Sequence, residues 1–118
     1  MKQSEIKFTI TLDDKKLPEK IDWSASDANK ESTSKAVMIA LWDSEEKNTL
    51  RIDLWTKDMM VEEMKQFYHQ NLLSMADTFE RATGEVQAAK AMRNFAQEFG
   101  LRMNLVMKND FYPLGKKD

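Results

Sequence analysis

The spacing of the apolar residues changes once along this chain, and that change limits what it can fold into. Up to Thr56 the spacing is two; from Met60 it is three to four. The transition falls inside the stretch Leu41–Phe67, LWDSEEKNTLRIDLWTKDMMVEEMKQF, which has almost no spare residues. Val37, Ile39 and Leu41, then Leu50, Ile52 and Leu54, alternate on either side of a charged turn, the pattern of a half-buried hairpin. Arg51, Asp53 and Trp55 take the intervening positions of the second strand. Asp58 sits where a carboxylate can cap a helix whose first turns carry Glu62 and Glu63.

The same rules place the other elements. Ile6, Phe8, Ile10 and Leu12 alternate with Lys7, Thr9 and Thr11 and predict a first strand. Residues 13–18 form a turn, and Ile21 and Trp23 mark a short second strand. The small polar run from Ala25 to Ser34 reads as a flexible loop, too long for a simple hairpin turn. Lys35–Trp42 is apolar on both faces, as in a strand that is central or covered on its second side. Val61, Met64, Tyr68, Leu72, Met75, Phe79 and Ala82 form one helical stripe, closed by Gly84 in a left-handed C′ position. A second helix from about Glu85 carries Ala89, Met92, Ala96, Phe99, Met103 and Val106 as a narrow, heptad-like seam. Gly100 lies within it, either for close approach to a neighbour or as a break.

The expected fold is α+β, in the order β-β-β-β-α-α: a four-stranded, mainly antiparallel sheet covered on one face by a C-terminal α-hairpin. Residues 1–109 are expected to form a single domain and 110–118 a mobile polar tail. The expected core comprises Phe8, Ile10, Ile52, Leu54, Tyr68, Phe79, Met92 and Phe99.

Composition excludes several function classes. The chain has 118 residues, enough for a core without disulfide staples. A net charge of −2 gives no basic field, so nucleic acid is not an expected partner. Without cysteine there is no thiolate nucleophile, no Cys-ligated zinc and no site for lipidation. The first twenty residues lack an apolar run of signal-peptide length, and no run is long enough for a membrane span, so a cytoplasmic location is expected. His69, the only histidine, has Lys65 and Leu73 one turn away and no ligand or triad partner. The acidic pairs Asp13/Asp14, Glu45/Glu46 and Glu62/Glu63 fit solvated turns and a helix start better than a converging acid–base pair. Three isolated glycines make no phosphate loop. No catalytic residue, metal or cofactor is expected.

Aromatic and thioether side chains provide the candidate binding residues. If Leu50, Ile52 and Leu54 pack inward, Trp55 points outward with Arg51 and Asp53, and Trp42 stands in the same relation to Leu41. Large aromatics on an outer sheet face are enriched at protein contacts; cover by the 25–34 loop or by Lys and Arg stems is the alternative. Met64, Met75, Met92 and Met103 fit an adaptable core. Met59 and Met60 cannot both be buried at a helix start, which makes them contact candidates. The candidate partner-binding set is therefore Trp42, Arg51, Asp53, Trp55, Met59 and Met60.

Several blocks resemble the GldC family of gliding-motility-associated proteins from the Bacteroidetes. They are Leu41-Trp42-Asp43, NTLRIDLWTKDM at Asn48–Met59, the EMK-F pattern at Glu63–Phe67, and KQSEIKFTITLDDKKLPEKIDW at Lys2–Trp23. The resemblance is carried by residues up to about Gly84. It implies a small cytoplasmic accessory protein of gliding motility, with no enzymatic activity or cofactor, acting on a protein partner of the gliding machinery or as a homo-oligomer. The element order is also similar to that of SecB, which makes a chaperone or secretion adaptor the alternative; order alone does not fix function. An enzyme or ligand-binding domain built on a cavity between sheet and helices ranks last and would need an enclosed pocket with converging polar groups.

Overall fold

A computed structural model of the chain describes residues 2–106; the tail expected at 110–118, and Met107 before it, lie outside the described residues. Contacts divide the chain after Met59 into two compact units. The first contains β1 (Ile6–Leu12), β2 (Pro18–Ala25), β3 (Lys30–Ser34), β4 (Ala36–Asp43) and β5 (Asn48–Trp55). The second contains α1 (Val61–Thr83) and α2 (Val86–Arg102). The α+β class and the strands-then-helices order are as the sequence predicts.

The strands form two antiparallel sheets, β1-β2-β3 and β4-β5, rather than one sheet of four. The extra strand is β3, which lies in the segment expected to be a loop. It pairs with β2 in the register Trp23–Ser32 and Ile21–Ser34. Its sequence KESTS carries no apolar residue, so alternation cannot reveal it; it is held by the ladder alone. Only Lys35 separates β3 from β4. A single residue cannot reverse the chain, because even the tightest hairpin needs two. β4 therefore leaves the first sheet and pairs with β5 instead.

Register sorts the side chains. In the three-stranded sheet Phe8 lies opposite Trp23 and Ile10 opposite Ile21, which gathers the apolar residues on one face. Lys7, Thr9, Asp22, Ser24, Glu31 and Thr33 line a depression of about 460 Å³ on the other. Ile21, on the central strand, is fully buried, a contribution of about 1.5–3 kcal/mol. Phe8 and Ile52 were expected in the core but are exposed, while Ile10 and Leu54 are half-buried.

The turn after β1 is built on Asp13. Its Oδ1 accepts the amides of Lys15 at 2.8 Å and Leu17 at 2.9 Å, and its Oδ2 accepts Lys57 Nζ at 2.8 Å. The bond from Lys57, followed by that from the Leu17 amide, lowers the Asp13 pKa from 3.8 to about 2. Lys16 supplies the left-handed residue of the turn, with φ of 65°.

In the second unit, the helices meet along small residues. Ala76 of α1 and Ala89, Ala96 and Gly100 of α2 are buried. The heptad-like seam of α2 holds as far as Phe99: Met92 and Phe99 are half-buried beside the buried alanines, whereas Phe95 is exposed, and the helix ends at Arg102, so that Met103 and Val106, half-buried as well, lie beyond it. The α1 stripe holds at Met64, Leu72 and Phe79, which are half-buried, but elsewhere it is turned by one residue, with Val61 and Ala82 exposed. Tyr68 and Met75 are exposed, and their neighbours His69 and Ala76 are drawn in. The cause is steric: Gly100 lies so close to α1 that a Cβ there would be 2.8 Å from His69 Nε2, room that only small residues leave. Arg93 of α2 ties the pair at the rim, with Nη2 2.8 Å from both Asp77 Oδ1 and Glu80 Oε1.

The helix ends also differ from expectation at one point. Gly84 closes α1 in the left-handed conformation, φ 76°, with its amide donating to the Glu80 carbonyl at 2.8 Å. At the N-terminus Met60, not Asp58, is the N-cap residue. Glu63 Oε1 reaches back to accept the Met60 amide at 2.9 Å. Asp58 falls two residues too early for the cap and instead accepts the Thr56 hydroxyl, which lowers its pKa.

Two predictions follow from these contacts. Gly100→Ala gains helix propensity but forces the imidazole to move, so the net effect is a destabilisation of about 1 kcal/mol. The check is the urea midpoint, which should recover most of its loss when His69→Ala is added. The second concerns acid. A depressed carboxylate stabilises above its unfolded pKa of 3.8, and that stability is lost as pH falls toward about 2. Wild type should therefore unfold later than Asp13→Asn at neutral pH, and the gap should close across that window.

Candidate partner-binding face of the β4–β5 ribbon

The ribbon's register is pinned at both ends. At the turn, the Lys47 amide donates to the Asp43 carbonyl at 2.8 Å, and Asp43 Oδ1 accepts the Glu45 amide at 3.2 Å. At the open end, the Thr56 amide donates to the Lys35 carbonyl at 2.8 Å, and Thr56 is buried. Between these ends Val37 pairs with Leu54, Ile39 with Ile52 and Leu41 with Leu50, forming one apolar face. Ala36 pairs with Trp55, Met38 with Asp53, Ala40 with Arg51 and Trp42 with Thr49, forming the other.

Trp42, Arg51, Asp53 and Trp55 therefore share one face. Trp42 is 68% exposed and Trp55 56%. They stand at opposite ends of the ribbon, six strand residues apart, or about 20 Å. Between them Arg51 grips Asp53 in a two-point fork, Nε to Oδ2 at 3.0 Å and Nη2 to Oδ1 at 2.8 Å. The guanidinium bond lowers the Asp53 pKa, so the pair stays ionised. Such a fork is rigid, and two flat aromatic surfaces flank it.

Trp55 also borders an open depression of about 320 Å³ with Leu17, Pro18, Leu54 and Lys57. Leu17 and Pro18 come from the β1–β2 connection, and nothing in their local sequence places them beside β5. Met59 and Met60 are not part of the strand face. Met59 is half-buried in a turn, its amide donating to the Thr56 carbonyl at 3.1 Å, and Met60 is 63% exposed at the start of α1.

His69 Nε2 is buried and has no hydrogen-bond partner among the described residues. Among the described residues no cluster of three His, Asp or Glu side chains could hold a metal ion, and no helix is long and apolar enough to cross a membrane.

The model of the family described as "Gliding motility-associated protein GldC-like" matches residues 18–105, from β2 through the end of α2. No curated protein and no solved structure matches the chain. The match reaches past Gly84, across the whole second helix, and covers well over half of the sequence. The chain belongs to the GldC-like family of gliding motility-associated proteins.

Proposed function

We propose that this protein is a non-enzymatic accessory component of gliding motility that works in the cytoplasm by contact with another protein, through the outer face of the β4–β5 ribbon. The observation that supports this reading most is the exposure of Trp42 and Trp55 on a face whose polar groups, Arg51 and Asp53, are already held in a fork. A tryptophan left in water forgoes a large hydrophobic gain, and a partner surface would recover it. The fork adds a pre-organised polar contact at little entropic cost.

Trp55→Ala is expected to weaken partner capture by about 2 kcal/mol, roughly thirty-fold, with the unfolding midpoint close to wild type. Crosslinking and pull-down from the native cell would supply the partner, and titration of the purified variant would give the loss. Undiminished capture together with a lowered midpoint would make Trp55 a structural residue and move the contact elsewhere. Cell fractionation tests the compartment.

A second reading draws on the opposite face, where Leu41, Leu50 and Ile52 are each about half exposed. An apolar strip of that kind suits unfolded chains, as in a chaperone or secretion adaptor. Binding of several unrelated unfolded proteins, weakened by Ile52→Lys, would favour it over the dedicated-partner reading.

A further inference from the structure

The outer edge of β4 is unlike the other strand edges of the first unit. β1 carries Lys7, β3 carries Lys30 and Glu31, and β5 carries Arg51 and Asp53. From Ala36 to Trp42 β4 reads AVMIALW, without a charge, proline or glycine. Soluble proteins blunt open edges with such residues, because a bare apolar edge recruits other strands. Among the described residues β4 ladders with β5 alone. A two-stranded ribbon by itself is marginal in water.

The backbone phase of that edge follows from the ladder. The Thr56 amide bonds to the Lys35 carbonyl, so Lys35, Val37, Ile39, Leu41 and Asp43 direct their backbone groups at β5. Ala36, Met38, Ala40 and Trp42 direct theirs outward. Two copies of β4 can thus pair antiparallel only with these even-numbered residues opposite one another.

We propose that β4 joins two copies of this chain edge to edge, about a two-fold axis through Ile39, to make a continuous four-stranded sheet β5-β4-β4-β5. It goes beyond the partner reading above: there a face meets another protein, and here an edge meets a second copy. In this register Met38 lies opposite Ala40 of the second copy and Ala36 opposite Trp42, so each large side chain meets a small one. Val37 meets Leu41, which extends the apolar face across the junction. Lys35 meets Asp43 at both ends, opposite charges directly across from each other. A register shift of two residues in either direction breaks that charge pairing and leaves part of the strand unpaired. Lys35 is already near Asp58, whose pKa it helps to lower, so the second copy's Asp43 would share that cation with Asp58.

The same register accounts for the two exposed tryptophans. Ala36 pairs with Trp55 within one chain. Trp42 of one copy then lies in a row with Ala36 and Trp55 of the second, roughly 10 Å from that Trp55. Within one chain the two rings are about 20 Å apart. Dimerisation would turn isolated rings into a shared aromatic row over an alanine.

Because the chain has no cysteine, single cysteines can read the register directly in the full-length protein. Sedimentation should find a wild-type dimer at micromolar concentration. Under mild oxidation Ile39→Cys should cross-link between copies at least about ten-fold faster than Val37→Cys, since only residue 39 meets itself across the axis. Ala40→Pro removes an outward amide that the ribbon does not use and should raise the dimer dissociation constant about ten-fold or more. Lys35→Asp and Asp43→Lys should each weaken the dimer, and the double swap should restore it, with urea curves confirming that each variant is folded. A monomeric wild type would overturn the proposal. So would a dimer in which Val37→Cys cross-links as fast as Ile39→Cys, or one that the Ala40→Pro and charge-swap variants leave unchanged.

Discussion

The β4–β5 register, held at Asp43 by the turn and at Lys35 by the buried Thr56, decides what this protein presents to its surroundings. A strand alternates its side chains strictly, so a slip of one residue would turn every tryptophan and leucine to the opposite face. With the register as it stands, Leu41, Leu50 and Ile52 share one side, and Trp42, the Arg51–Asp53 fork and Trp55 share the other. The candidate site is thus a property of the ladder, and the tie at Thr56 matters to it as much as any surface residue does.

The split into two small sheets follows from a single covalent fact. With one residue between β3 and β4, the chain cannot turn back on itself, so β4 must find its partner downstream. That leaves β4 with an uncharged outer edge and gives the ribbon two apolar-bearing faces. Most of the unusual exposure in the first unit, at Trp42, Leu41, Leu50, Ile52 and Trp55, lies on this ribbon.

The helical unit depends on a different constraint, close approach. Buried Ala76, Ala89, Ala96 and Gly100 bring α1 and α2 together, and Arg93 closes the rim onto Asp77 and Glu80. The lone histidine is explained by the same packing. Its ring fills the space beside Gly100.

Alternation determined the hairpin from Val37 to Trp55 and the placing of Trp42, Arg51, Asp53 and Trp55 on one face, and the three-to-four spacing with Gly84 determined the two helices and their break. These rest on local periodicity and on conformations that a residue type carries with it. The matched blocks pointed to the family for the same reason, since they are strings of residues. Tertiary structure decided what periodicity cannot express. β3 exists because β2 offers it a ladder, and no residue of KESTS signals a strand by itself. The rotation of α1 toward His69 and Ala76 came from the small residues of α2, which a search for large apolar side chains passes over. The exposure of Phe8 and Ile52 depended on which strands share a sheet, a long-range choice made by the single residue Lys35 between β3 and β4.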